Sequence, residues 1–216
     1  MKSKYFLKAV GLTFISIIYT FLVKNVDVSA IGPEESSVGF SKLNGMFHNA
    51  FDYNSLFYAI SEIFGILLLL IAGVYALIGF YQLIKKFSFK KIDKEIIILG
   101  CFYLAVIIVY VFFEKVVINY RPVLEDGLLE ASYPSSHIVL ALCIGFSSLL
   151  ISPKYVKKNF IKLTNLITIV SIISVVLFRT ISGVHWISDI IGGIIISATL
   201  LMYFYTAYDI IIKKNN

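Results

Sequence analysis

The sequence predicts an all-α, polytopic membrane protein with six transmembrane helices, and three observations predict it. Hydrophobic residues make up 59% of the 216-residue chain and charged residues only 15%, against about 25% charged in an ordinary soluble domain. Mean hydropathy is +0.89, which excludes a soluble globular protein and also excludes disorder, since a disordered chain needs low hydrophobicity. The apolar residues gather into six runs at or near the ~20 residues that a helix needs to cross a bilayer. The length predicts one domain over residues 1–216. Only four prolines occur and no glycine or serine tract marks a linker.

The runs can be justified in order. Residues 9–23 are uncharged and reach spanning length once residues 5–8 are added, with Lys8 snorkelling. A competing reading of this segment is a signal peptide: a basic start, an apolar stretch, then Val28-Ser29-Ala30 as a cleavage site. Retention as a helix is the expectation, and cleavage would leave the other loops on the same sides. Residues 63–84 are uncharged throughout, and 96–113 follow. Residues 138–152 are short and must borrow from 134–137. Residues 163–178 are extended by 160–162, and 190–208 complete the set. No repeat occurs at a period of 20–50 residues.

The formal charge of +6 does not point to nucleic acid, because the lysines sit in short clusters between the apolar runs. Lys2, Lys4 and Lys8 precede the first run. Lys85, Lys86, Lys90, Lys91 and Lys94 fill the second connection; Lys154, Lys157, Lys158 and Lys162 fill the fourth; Lys213 and Lys214 end the chain. These alternating segments carry 14 of the 19 basic residues. The positive-inside rule therefore predicts both termini cytoplasmic and the first, third and fifth connections outside; the plasma membrane is the expected location. Cys101 and Cys143 lie inside apolar runs near opposite faces, so neither a disulfide nor a zinc cluster is expected.

The outward connections differ in kind from the lysine-rich ones. The third and fifth hold both arginines, Arg121 and Arg179, and two of the three histidines, His137 and His185. Ionisable groups at a membrane boundary are costly unless paired or solvated, so their concentration on one face predicts a site. In Ser132-Tyr133-Pro134-Ser135-Ser136-His137, proline after serine is a helix-start signal. A helix beginning at Pro134 would leave the N–H groups of Ser135, Ser136 and His137 free to bind an anion. His185 and Asp189 are spaced i, i+4 and share a helix face. There the aspartate can accept the Nδ1 proton and leave Nε2 with a lone pair, fit for a nucleophile or base. Gly183 reads equally as a plain turn or a place for close backbone approach. Lys115 and Arg121-Pro122 add cations suited to phosphate oxygens. Together these segments describe a phosphate pocket with its own nucleophile and acid.

On those residues the sequence resembles the type 2 phosphatidic acid phosphatase (PAP2) superfamily, whose membrane members include bacterial undecaprenyl-diphosphate phosphatases. The family pattern is lysine, six residues, Arg-Pro; then Pro-Ser-Gly-His; then Ser-Arg, five residues, His, three residues, Asp. Pro134-Ser135-Ser136-His137 matches the second part with serine for glycine. Arg179, His185 and Asp189 match the third, with Phe178 for the serine. Lys115 and Arg121-Pro122 match the first with five intervening residues, which turns the lysine by about 100° if the segment is helical. The motif region is 115–189.

The resemblance implies a six-helix PAP2-type bundle with an extracytoplasmic active site. It implies that His185 forms a phosphohistidine, Asp189 orients it, and His137 protonates the leaving oxygen. Lys115, Arg121, Ser135, Ser136 and Arg179 are implied to hold phosphate. The expected substrate is a lipid phosphate or diphosphate, first undecaprenyl diphosphate, then phosphatidic acid or phosphatidylglycerol phosphate. No metal and no cofactor are expected, and the partners are this lipid and the bilayer. Glu125, Asp126 and Glu130 read as a solvated loop. Glu62 reads as a residue at the outer end of the second span that snorkels or faces the bundle, His48 as a surface or interfacial residue, Gly192-Gly193 as a close-packing point, and residues 40–53 as a segment along the interface or equally a helix extension or loop. The rivals are an anion or lipid transporter, which would carry its charges at mid-membrane, and an inactive scaffold.

Overall fold

The structure, a computed structural model, describes residues 5–125 and 127–212. Lys2, Lys4, Asp126, Lys213 and Lys214 lie outside the described residues. Seven α-helices are formed: α1 Phe6–Asn25, α2 Ser41–Ala50, α3 Ser55–Lys86, α4 Lys94–Lys115, α5 Ser136–Tyr155, α6 Lys158–Ile181 and α7 Ile187–Ile211. All but the short α2 are long and apolar enough to cross a membrane. A two-residue ribbon, β1 Ser29–Ala30 against β2 Ser37–Val38, joins α1 to α2. It contains the segment read as a possible cleavage site, and α1 packs along α7 as an integral member of the bundle.

α5 and α7 form the centre. α5 packs against α3, α4, α6 and α7, and α7 against α1, α4 and α5. The outer helices turn large apolar side chains outward, among them Phe14, Leu77, Ile108 and Leu166, as helices do when lipid is their solvent. Gly192 sets one close approach, because a Cβ there would lie 2.3 Å from the Tyr133 ring. Pro153 in the last turn of α5 cannot donate to Leu149, and the Ser152 hydroxyl donates to that carbonyl instead, at 3.3 Å.

α3 has 32 residues. At 1.5 Å per residue it is about 48 Å long, well beyond a ~30 Å hydrocarbon core. Its first two turns are therefore free to stand at the membrane boundary and carry polar groups. Asn54 caps this end, its side chain accepting from the Phe57 N–H at 3.0 Å. At the opposite, lysine-rich end, Asp93 joins α3, α4 and α5. It accepts hydrogen bonds from Gln82 and Tyr155 and faces Lys86 and Lys154. Burial works against the Asp93 charge, but these donors and cations outweigh it and hold the carboxyl below its ordinary value.

Candidate active site

The third connection folds back on itself before α5. Arg121 N donates to Glu130 O at 3.0 Å and Ser132 N to Asn119 O at 2.9 Å, so residues 119–121 and 130–132 form a narrow antiparallel ribbon. Trp186 pins it to the fifth connection through its indole N–H, 2.7 Å from Tyr120 O. Trp186 is therefore a buried strut. Gly183, at φ +68, turns the chain where any Cβ would strike the backbone of Phe51 to Tyr53. Close backbone packing explains this glycine.

α5 begins at Ser136, with Ser135 as N-cap and Pro134 one residue earlier. This corrects the expected start at Pro134. The Ser135 N–H is not free, since it donates to Asp189 O at 3.1 Å. The N–H groups of Ser136 and His137 have no partner among the described residues and, with the helix dipole, form an arrangement that can receive an anion.

His185 and Asp189 come together, but not in direct contact. Ser132 Oγ lies 2.9 Å from His185 Nδ1 and donates to Asp189 Oδ2 at 2.6 Å. Asp189 is fully buried and also accepts from Asn119 Nδ2, Ser188 Oγ and the Trp186 N–H. The expected direct acceptance of the Nδ1 proton by Asp189 is thus corrected to a path through a serine. Burial first, then the charges of Arg179, Arg121 and His137, push the His185 imidazole well below its usual 6.5, with Ser132 opposing. The ring is therefore neutral at physiological pH.

Arg179 has no exposed surface. Its Nη2 is 2.9 Å from Glu62 Oε1 and also hydrogen-bonds His137 Nδ1, while Nη1 reaches Ser61 Oγ at 3.2 Å. His137 Nε2 is 2.9 Å from the same Glu62 oxygen. The Tyr58 ring lies 4.7 Å from the Arg179 guanidinium carbon, and its hydroxyl donates to Glu125 at 2.8 Å. Glu125 in turn pairs with Arg121, as does Glu130 at 3.4 Å. Glu62, Glu125 and Glu130 are therefore counter-ions of the site, which corrects the reading of Glu125 and Glu130 as a solvated loop.

Of the expected site residues, His137, His185, Asp189, Arg121, Arg179, Ser135 and Ser136 meet in one region. Lys115 does not join them: it is the exposed last residue of α4 and makes no ion pair among the described residues. Buried polar atoms normally find partners, yet Ser135 Oγ, Arg121 Nε, Arg179 Nε and His185 Nε2 have none among the described residues. An apolar crevice between α4 and α5, walled by Val109, Phe113, Tyr133 and Leu140, reaches His185 from the side of the bundle.

Sequence reasoning missed Tyr58, Ser61, Asn119 and the role of Ser132, and left the role of Glu62 open. Tyr58, Ser61 and Glu62 had a usable signal, since their i, i+3, i+4 spacing makes a polar stripe at the end of the second span.

The profile of the PAP2 superfamily matches residues 102–212, just over half of the 216 residues. The chain belongs to the PAP2 superfamily. The PAP2 match contains every motif residue from Lys115 to Asp189 but leaves out Tyr58 and Glu62. The whole fold is similar to the crystal structure of the first transmembrane PAP2 type phosphatidylglycerolphosphate phosphatase from Bacillus subtilis. The TM-score is 0.58 at 17% identity, over 97% of this chain and 99% of that one. At that identity the likeness is one of fold. No curated protein matches the chain. PAP2 members are phosphatases, and six apolar helices make this one a multi-pass membrane protein.

Proposed function

We propose that the chain is a single-domain PAP2 phosphatase that removes phosphate from a membrane lipid at the extracytoplasmic face. The observation that carries this is the set of buried, unpartnered atoms. Three are N–H or O–H donors, on Arg121, Arg179 and Ser135, and one is the His185 Nε2 lone pair. Donors that converge beside a neutral imidazole suit a tetrahedral oxyanion under attack.

In the proposed reaction His185 Nε2 forms a bond to phosphorus as the bond to the leaving oxygen breaks. The guanidinium groups, Ser135 and the α5 N–H groups hold the equatorial oxygens. Phosphate draws Arg179 away from His137 Nδ1, which then takes up a proton from water, and the imidazolium, supported by Glu62, protonates the leaving oxygen. Water, deprotonated by His137, then breaks the N–P bond and releases inorganic phosphate. The arginines supply the charge stabilisation that a metal supplies elsewhere, so the reaction is proposed to need none. Among the described residues no group of three or more His, Cys, Asp or Glu is set to hold a metal ion.

The membrane setting favours an amphiphilic substrate, with its headgroup at the site and its tail among the helices. Undecaprenyl diphosphate is the first substrate proposed. Phosphatidylglycerol phosphate is the second, being the substrate class named for the Bacillus subtilis relative.

The test is phosphate release by the purified protein from undecaprenyl diphosphate, phosphatidylglycerol phosphate and phosphatidic acid, each with and without EDTA. His185→Ala should abolish release while the protein still inserts. Full turnover by that variant removes the nucleophile, and an EDTA loss restored by magnesium removes the metal-free mechanism.

A further inference from the structure

We propose that Ser132 is a positioning residue, which relays the Asp189 carboxylate to His185 and fixes the imidazole with its proton on Nδ1. The inference rests on the reading of His185 as nucleophile and deepens it.

The argument is a count of protons. A carboxylate accepts only, so the 2.6 Å contact from Ser132 Oγ to Asp189 Oδ2 uses the single hydroxyl proton. The same oxygen, 2.9 Å from His185 Nδ1, is then left to accept. Nδ1 must therefore carry its hydrogen, and Nε2 must present a lone pair. Exchange with water cannot blur the arrangement, because Ser132, Asp189 and His185 are at most 3% exposed.

The serine is itself held at both ends. Its N–H donates to Asn119 O at 2.9 Å, and the Asn119 side chain donates to Asp189 at 3.1 Å. The carboxylate has its remaining demand met by Ser188 and Trp186, so it is not free to swing onto the imidazole. When Nε2 bonds to phosphorus the ring becomes cationic. The Nδ1–H then strengthens its bond to Ser132, whose own proton leans further toward Asp189. The negative charge of Asp189 thereby reaches the ring without contact.

The experiment has two arms. In the first, 15N-histidine NMR of the wild-type protein in lipid nanodiscs reads the His185 tautomer, assigned by loss of its signals in His185→Ala. Protonation at Nδ1 is expected, and protonation at Nε2 overturns the proposal whether or not any Ser132 variant folds. In the second, Ser132→Ala and Ser132→Thr are assayed for turnover and for an acid-labile phosphoprotein after rapid quench. Ser132→Ala should lower kcat roughly ten- to a hundredfold with KM within about twofold, the loss of one hydrogen bond to a charged ring. Its tautomer signal should become mixed, and Ser132→Thr should recover at least part of the rate and the Nδ1–H signal. Wild-type kcat and tautomer in Ser132→Ala overturn the relay. Phosphoprotein that persists in His185→Ala overturns the nucleophile instead, so the two failures are distinct.

Discussion

Glu62 touches two positive groups at once, and this gives it opposed effects. It supports a charge on His137, and it occupies the Arg179 fork that a phosphate needs. Glu62→Gln should therefore lower kcat about tenfold, the order of one charge-assisted hydrogen bond, yet tighten inhibition by inorganic phosphate. Steady-state kinetics with phosphate as inhibitor would read both, and weaker inhibition with unchanged kcat would contradict both roles. His185 makes a prediction about pH. Its imidazole is held well below 6.5 by burial and by Arg179, Arg121 and His137, so the acid limb of kcat/KM assigned to it should lie below the ordinary imidazole range. The unfolded chain takes up this proton near 6.5 and the folded one only at lower pH. The contribution of His185 to stability is thus undisturbed above about 6.5 and falls as pH drops below it. A pH–rate profile and thermal melts from pH 5 to 8 would check the two statements, and an acid limb centred above 6.5 would refute the first.

The meeting of the α2–α3 loop with the fifth connection is an element-scale constraint. Gly183 combines a positive φ with backbone 2.6 to 2.7 Å from where a Cβ would stand. Gly183→Ala should cost more than about 1 kcal/mol, seen as a melting point at least about 2–4 °C lower for a chain of this size. It should also cut turnover, since His185 is two residues away; an unchanged melt and rate would mean that the loop yields. The spans were legible in the sequence because hydropathy and length alone decide them. The site was legible where residues are close in sequence, as from Ser132 to His137 and from Arg179 to Asp189. It was not legible where tertiary packing decides. The second apolar run begins at Ile63, whereas α3 begins at Ser55, so Tyr58 and Ser61 fell outside the predicted span and Glu62 stood only at its edge. The start of α5 was misplaced because the hydrogen bond from Ser135 N to Asp189 O spans 54 positions and leaves no local mark. Nor does any local pattern reveal that a serine stands between His185 and Asp189.

At the scale of the whole molecule, lysine-rich connections and the candidate site lie at opposite ends of the bundle, and the positive-inside rule turns this into an orientation. Leu128, 65% exposed near the site, and Phe87, 90% exposed at the other end, are suitable reporters. In a C101S/C143S background, Leu128→Cys should react with an impermeant maleimide on intact cells and Phe87→Cys only after permeabilisation; the reverse pattern would invert the topology. The pairing of each arginine with glutamate bears on how the resting enzyme meets its surroundings. An empty pocket of bare guanidinium groups would soak up chloride, sulfate and its own spent product. With Glu62, Glu125 and Glu130 already seated there, an incoming anion must outbid a resident carboxylate, which a multiply charged lipid headgroup does better than a halide. On the proposed reaction, the glutamates would return as orthophosphate departs, so that turnover would be a swap of ligands rather than a capture followed by slow escape.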